Sequence, residues 1–467
     1  MTRQRLTDPS RCRTPKPKPK LSRSFHCALA AILFQAWGLF PAFAADDALP
    51  GAAAASVGLS PERLGRLDLL MQRAVQEKSI AGGVLLVARH GKIAYFNGFG
   101  LADRNKPMQK ETIFRIASMT KPLTSTAVML LYEEGRLLLS DPISKYIPEF
   151  KSPMVLEMAR PGSRPAYKLV PAKREITIRD LLSHTSGLSY RFVATWFPDP
   201  RHRQMADLYK EAGISDGMSE NEGSLAQMVR TLARLPLYAH PGESFEYGLS
   251  TDVLGYLVEV VSGLTLADFM QQRIFEPLKM KDTSFYLPAE KRDRLSALWR
   301  SDGQGHLEIL PDGEREDGDF VYSPSFHYQG PRSYYSGGAG LLSTAGDYFR
   351  FCQMLLNNGE LDGVRLLSRK TVQLMTATNH TGAIDATFLH GKGWKFGLGF
   401  AIQMDRGQDI DAGSVGAYEW AGIFSTRFSI DPKEEKITIF LSQTDPFKYH
   451  IGLWDRLVAL SSSAIID

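Results

Sequence analysis

Cysteine is scarce in this chain. Its 467 residues include only Cys12, Cys27 and Cys352. Two of these lie within the first 44 residues, so the remainder cannot close an internal disulfide. A chain of this length has core enough to hold without one. Cys352 sits in an apolar helical pattern and reads as a small core residue. Metal-ligand spacing is also missing: the ten histidines are scattered and no H-E-x-x-H occurs. Neither is there a G-x-x-x-x-G-K-[ST] loop for nucleotide phosphates. No cofactor or metal is therefore implied. A surplus of one charge is absent once the amino terminus is set aside. The first 44 residues carry eight Lys/Arg against one Asp, a charge of +7, which leaves −3 for the rest of a chain whose total is +4. Charge offers no case for nucleic-acid binding.

What the first 44 residues do contain is ordered like an export signal. A basic stretch from Arg3 to Arg23 is followed by an apolar run from Phe25 to Phe40, then by Ala42-Phe43-Ala44 ahead of Ala45-Asp46-Asp47. That is the basic, apolar, small-x-small order of a secretory leader. The apolar run is short of the roughly 20 residues a spanning helix needs. Cleavage after Ala44 and a periplasmic or secreted product are expected. Membrane attachment would arise only through an uncleaved leader.

The remaining composition, 43% hydrophobic and 23% charged, is that of a globular domain. Ser60-Pro61 opens a helix expected to run to about Lys78, and Gly82 to Ala88 with Lys92 to Gly98 read as a hairpin about Gly91. Helices are expected from Ser118 to Gly135, from the Thr177/Asp180 capping box, from Asp252 to Ser262, from the Thr344/Asp347 capping box to about Asn358, and over about Tyr449 to Ser461. Residues 286–335 read as irregular. Late strands are expected over Phe396–Met404, Gly422–Ile430 and Lys436–Ser442. Early and late strands that share one antiparallel sheet would leave the middle as a helical lobe, an α+β arrangement. The expected division is a leader over 1–44 and a catalytic domain over 45–467. Its sheet lobe would take about 45–115 and 335–467, and its helical lobe about 116–334.

The chemistry centres on Ser118-Met119-Thr120-Lys121, the only S-x-x-K in the sequence. A serine hydroxyl needs a base beside it to attack at neutral pH. Three residues along a helix bring Ser118 and Lys121 to one face. A serine at a helix start also meets unpaired N–H groups suited to a developing oxyanion. Lys121 must be neutral to act as a base. A nucleophile elbow of the G-x-S-x-G kind is not expected. Taken alone, the tetrad fits a capping serine and a solvated lysine equally well.

Several ordered segments carry a resemblance. Phe114-Arg115-Ile116-Ala117-Ser118-Met119-Thr120-Lys121-Pro122, Leu181-Leu182-Ser183-His184-Thr185-Ser186-Gly187-Leu188, Pro241-Gly242-Glu243-Ser244-Phe245-Glu246-Tyr247-Gly248-Leu249-Ser250, Gly337-Gly338-Ala339-Gly340 and Trp420-Ala421-Gly422 together resemble class C β-lactamase-like serine hydrolases, in particular family VIII carboxylesterases. The resemblance covers roughly residues 55–465. It implies a β-lactamase/transpeptidase-like fold, an antiparallel sheet flanked by helices plus a mostly helical lobe. It implies Ser118 as nucleophile, Lys121 and Tyr247 as the base pair, and the backbone N–H groups of Ser118 and Ile423 as the oxyanion hole. Trp420, Ala421, Gly422 and Leu249 are expected to line the substrate pocket, with Tyr335 a further candidate. His184 is expected to hold a loop by a hydrogen bond.

Two departures bear on substrate. Leu249 stands where many relatives have Asn, which removes an amide for an acylamino group. Trp420 opens a third motif that in penicillin-recognising enzymes begins with Lys, which removes a cation for a carboxylate. Both favour a short-chain carboxylic ester, a small-molecule substrate cleaved through an acyl-enzyme. A β-lactamase, a D-amino-acid peptidase or amidase, or an acyltransferase would use the same nucleophile. A non-catalytic penicillin-binding-like sensor on the same fold is the remaining alternative.

Overall fold

The chain is described here through a computed structural model. It describes residues 49–467 apart from 161, 164, 165, 198, 221, 222, 387, 389, 409–411 and 446–450. The leader, and the first residues expected for the last helix, Tyr449 and His450, lie outside the described residues.

An eight-stranded sheet organises the molecule. From one edge to the other its strands run Trp394–Phe396, Ala401–Gln403, Tyr418–Gly422, Thr426–Asp431, Lys436–Ser442, Gly82–Arg89, Lys92–Asp103 and Lys106–Pro107. Every neighbouring pair is antiparallel. The early hairpin joins the late strands where Gly82–Arg89 pairs with Lys436–Ser442, in a register that sets Leu86 opposite Ile439. The expected union of early and late strands in one sheet is thus present. Gly82–Arg89 is buried along its whole length because helices cover both faces, so its sequence is a continuous apolar run rather than an alternating one.

One face of the sheet packs on the helices Pro61–Gln76 and Ile451–Ser463, through Leu64, Leu67, Met71, Leu85, Val87, Phe440 and Leu457. Ser60 caps the first of these helices by accepting from Arg63 N–H, with Pro61 at its first position. Such a cap contributes about 1 kcal/mol. The opposite face carries the main core, which runs on into the helical lobe through Leu123, Val128, Leu254 and Leu257. There the helices Thr120–Glu133 and Ser250–Ser262 are buried from Thr120 to Leu131 and from Ser250 to Val258.

Three expectations need correction. The late part holds two hairpins where two long strands were expected. Gly397–Gly399 divides Trp394–Phe396 from Ala401–Gln403, and Ile423–Ser425 divides Tyr418–Gly422 from Thr426–Asp431. Apolar residues continue through both turns, so hydrophobicity does not mark the reversals. Gly399 at φ +93° and Ser425 at φ +64° turn the chain instead. Residues 286–335, expected to be irregular, contain the short strands Trp299–Ser301, Leu307–Ile309, Arg315–Asp317 and Phe320–Tyr322. Finally, the helix expected to begin at Ser118 begins at Thr120, after a single 3-10 turn over Ala117–Met119.

Candidate active site

That 3-10 turn presents Ser118. Ala117 just before it is held at φ +44°, a left-handed conformation a residue with a Cβ adopts rarely. The turn is fixed from several sides. Arg115 is fully buried, and its guanidinium donates to Ser296 O, Pro324 O and the Gln443 side chain. Burial lowers this guanidinium to about 10. Ile116 N–H donates to Leu341 O at 3.1 Å. The Ile116 carbonyl accepts from Thr426 Oγ1 at 3.2 Å, which ties the turn to the late hairpin. Strained backbone of this kind persists only where its surroundings over-determine it.

Three residues after Ser118, at the second position of the helix, Lys121 is 1% exposed. Its Nζ lies 3.2 Å from Ser118 Oγ, 3.0 Å from Tyr190 Oη and 2.8 Å from the Gly338 carbonyl. The carbonyl can only accept, so it takes one amine hydrogen, whereas the serine and tyrosine hydroxyls can donate or accept. A neutral amine in this place keeps a lone pair that either hydroxyl can address. Nζ also sits over the ring of Tyr247, 4.8 Å from its centroid, and 5.2 Å from that of Tyr190.

The sequence reading misses Tyr190. It lies two residues beyond the quoted segment ending at Leu188, and nothing in its local pattern separates it from a core aromatic. Burial, followed by the charges of Asp252 and others that include Asp216, holds its phenol well above the usual range, so it is neutral at physiological pH. Asp252 is also buried. Its Oδ1 accepts from Ser336 Oγ at 2.6 Å and from Gly338 N–H at 3.3 Å, which positions the carbonyl that meets Lys121. Burial raises the Asp252 carboxyl, against the pull of Ser336 and Lys121.

A cleft opens onto Ser118. Ser118, Tyr247, Ala421, Gly422 and Ile423 all line it. At Gly422 a Cβ would collide with the Ile116 carbonyl and Thr426 Oγ1, so only glycine lets the strand end approach the Ser118 turn.

Other expected pocket residues lie elsewhere. Trp420 is 1% exposed and packs behind Tyr247, Phe396 and His390, with ring centroids 5.5, 5.2 and 6.1 Å away. It supports the pocket wall and does not form it. Leu249 heads the helix Ser250–Ser262 and is fully buried in the core. Tyr335 packs on Phe285 and Tyr286, and its Oη donates to Arg332 O. The His184 ring sits among Phe245, Tyr247 and Phe396, and its Nδ1 makes no hydrogen bond. Its main-chain carbonyl ties the loop instead, accepting from Glu246 N–H. Burial and nearby Lys121 keep this imidazole neutral.

Gly213-Ile214-Ser215-Asp216-Gly217 does carry G-x-S-x-G spacing, but the segment does not form a nucleophile elbow. It follows the helix Pro200–Glu211, whereas an elbow needs a strand before it and a helix after. Ser215 Oγ accepts from Gly217 N–H and closes its own loop. Among the described residues no group of three or more His, Cys, Asp or Glu side chains is placed to hold a metal ion.

Comparison with known proteins agrees with this geometry. Esterase EstB of Burkholderia gladioli is 32% identical over 375 residues, 78% of this chain and 86% of that protein. Monacolin J acid methylbutanoyltransferase of Aspergillus terreus is 26% identical over 409 residues, 82% of this chain and 91% of the other. The solved structure of EstCE1, a hydrolase with promiscuous acyltransferase activity, superposes with a TM-score of 0.71 at 31% identity, covering 87% of this chain and 98% of that one. The Beta-lactamase family profile matches residues 67–460, and the chain belongs to that family.

Proposed function

We propose that this enzyme, a serine hydrolase of the beta-lactamase family, cleaves short-chain carboxylic esters through an acyl-enzyme on Ser118. The carrying observation is Lys121 Nζ, buried 3.2 Å from Ser118 Oγ at the wall of an aromatic cleft. Similarity to an esterase and to a hydrolase with acyltransferase activity supports ester chemistry.

In the first step the Ser118 hydroxyl proton passes to the Lys121 lone pair as Oγ bonds to the ester carbonyl carbon. The carbonyl π pair moves onto oxygen, where the N–H groups of Ser118 and Ile423 stabilise the anion. Collapse expels the alcohol, which takes its proton from the Lys121–Tyr247 pair, while Tyr190 Oη accepts a hydrogen bond from the amine. Water then attacks the acyl carbon and gives a proton to the same pair; collapse breaks the bond from that carbon to Ser118 Oγ, the pair returns its proton to Oγ, and the acid leaves. The mostly apolar, aromatic lining of the cleft suits an uncharged acyl group.

The test is a panel of short and long esters, a penicillin, a cephalosporin and D-Ala-D-Ala peptides, run beside Ser118→Ala. Short-chain aryl esters should exceed penicillins in kcat/KM by about 10³-fold or more. Equal efficiency on a penicillin would overturn the ester assignment while leaving the nucleophile in place. Transfer to an added alcohol in preference to water would favour the acyltransferase reading.

A further inference from the structure

The two phenols beside Lys121 belong to segments that meet one residue earlier. Tyr190 follows Ser189, Tyr247 follows Glu246, and Ser189 Oγ donates to Glu246 Oε1 at 2.6 Å. The main chains lie so close here that a Cβ on Gly248 would collide with the Leu188 carbonyl. Glu246 N–H donates to His184 O at 2.7 Å, and Leu249 N–H donates to Ser189 O at 3.4 Å. Main-chain bonds thus join the two segments, and the Glu246 carboxylate adds a side-chain link between them.

That carboxylate also reaches a third element. His202, on the helix Pro200–Glu211, places Nε2 3.1 Å from Glu246 Oε1 and 3.3 Å from Oε2. An ionised carboxylate only accepts, so Nε2 carries the hydrogen. The imidazole lies flat on Tyr238, with centroids 4.2 Å apart and planes 10° apart. Ser189 is fully buried, and Glu246 and His202 are 5% and 8% exposed. Neither Glu246 nor His202 is among the residues lining the cleft, and the acyl-transfer steps above use neither. A buried charge of this kind adds little to stability that apolar side chains of similar volume would not supply. What directed hydrogen bonds add is placement. The residue after Ser189 is the one whose Oη stands 3.0 Å from Lys121 Nζ, with its ring 5.4 Å from that of Tyr247.

We propose that Glu246 is a positioning residue for the acyl-transfer reaction: it holds Ser189, and through Ser189 it keeps the Tyr190 hydroxyl against the Lys121 amine. The inference rests on the esterase reading and adds a residue to its machinery. Glu246 touches neither substrate nor reacting atoms. His202 anchors the carboxylate to the helix behind it. No covalent step is added to those already described.

The test is a double-mutant cycle on hydrolysis of 4-nitrophenyl acetate. Glu246→Ala should lower kcat about 10-fold, the loss expected when the Tyr190 hydroxyl itself is removed. Adding Tyr190→Phe to Glu246→Ala should then cost no more than about twofold further, because both changes remove one and the same contact. Glu246→Gln should restore most of the rate. Its amide oxygen still accepts from Ser189 Oγ, and His202, whose Nδ1 makes no hydrogen bond, can move its proton there and accept from the amide N–H. A merely structural support would cost the same with or without the Tyr190 hydroxyl. Independent losses that multiply to about 100-fold therefore overturn the proposal, as does a native rate in Glu246→Ala or a Glu246→Gln variant no better than Glu246→Ala. Should Glu246→Ala not fold, Ser189→Ala removes a single oxygen from the same link and carries the same cycle with Tyr190→Phe. A native enzyme that hydrolyses no ester would overturn the esterase reading by itself. The cycle is then read as the rate of Ser118 labelling by a fluorescent organophosphonate, where the same pattern supports the positioning role and multiplied losses overturn it.

Discussion

Tyr190 Oη lies 3.0 Å from Lys121 Nζ, closer than the 3.2 Å between that nitrogen and Ser118 Oγ. Tyr247, the phenol expected to share the proton, meets the same amine with its ring face at 4.8 Å. Two tyrosines therefore flank one base, and their roles separate by substitution. Tyr247→Phe should lower kcat/KM by about 10²–10⁴-fold, the range for loss of a general acid. Tyr190→Phe should cost less, about 10-fold, because the amine loses one of its three hydrogen-bond partners. A large loss in Tyr190→Phe with a small one in Tyr247→Phe would exchange the two assignments. Steady-state kinetics on both variants decides it.

Ser118→Ala should abolish ester hydrolysis and labelling by a fluorescent organophosphonate, with at least about 10³-fold loss of kcat. Near-UV circular dichroism should stay native, since Ser118 Oγ contributes one hydrogen bond to the folded structure, to Lys121. Substantial hydrolysis by that variant would remove the acyl-enzyme mechanism altogether.

Export is proposed from the leader alone. Expressed in a Gram-negative host, the mature protein should begin near Ala45 and be recovered from the periplasm. Amino-terminal sequencing checks the cut. An intact leader in the membrane fraction would favour an anchor.

Asp347 offers a stability test away from the site. Burial raises its carboxyl to about 6, although Asp282 N–H and Thr283 Oγ1 donate to it. Between about 3.8 and 6 the native state binds a proton that the unfolded chain releases. Stability from this group is thus fully present below the unfolded value and is lost as pH rises through about 6. Asp347→Asn removes that dependence. Relative to the native protein, it should gain about 2–3 kcal/mol in going from pH 4 to pH 7.5. Urea unfolding at the two pH values measures the difference, and a constant offset would show that Asp347 does not titrate in this range.

Local chemistry made much of this fold legible. Ser60-Pro61 and Thr177/Asp180 announce helix starts through caps that the structure contains. Lys436–Ser442 has the same bounds in both readings. Ser118 and Lys121 were legible because they lie three residues apart on a single element. Tyr190 and Glu246 were not, since their meaning depends on loops brought together from distant parts of the chain. Trp420 misled for a related reason. A motif position predicts which strand end borders the cleft, but whether an indole faces the cleft depends on Tyr247 and Phe396, which pack in front of it. The turns at Gly399 and Ser425 escaped notice because apolar residues continue through them.

The hydrogen bond from Thr426 Oγ1 to the Ile116 carbonyl joins residues separated by most of the chain. Gly422 and Ile423, which complete the cleft edge, come equally late. During synthesis the serine and lysine emerge long before the strand they need. On the proposed mechanism, a ribosome-bound chain ending before residue 426 holds Ser118 and Lys121 but no finished anion site. Reactivity is deferred until the carboxyl-terminal strands close the sheet. A truncation series read by organophosphonate labelling should accordingly switch on in one step, between chains that end before the Thr426–Asp431 strand and chains that include the Lys436–Ser442 strand.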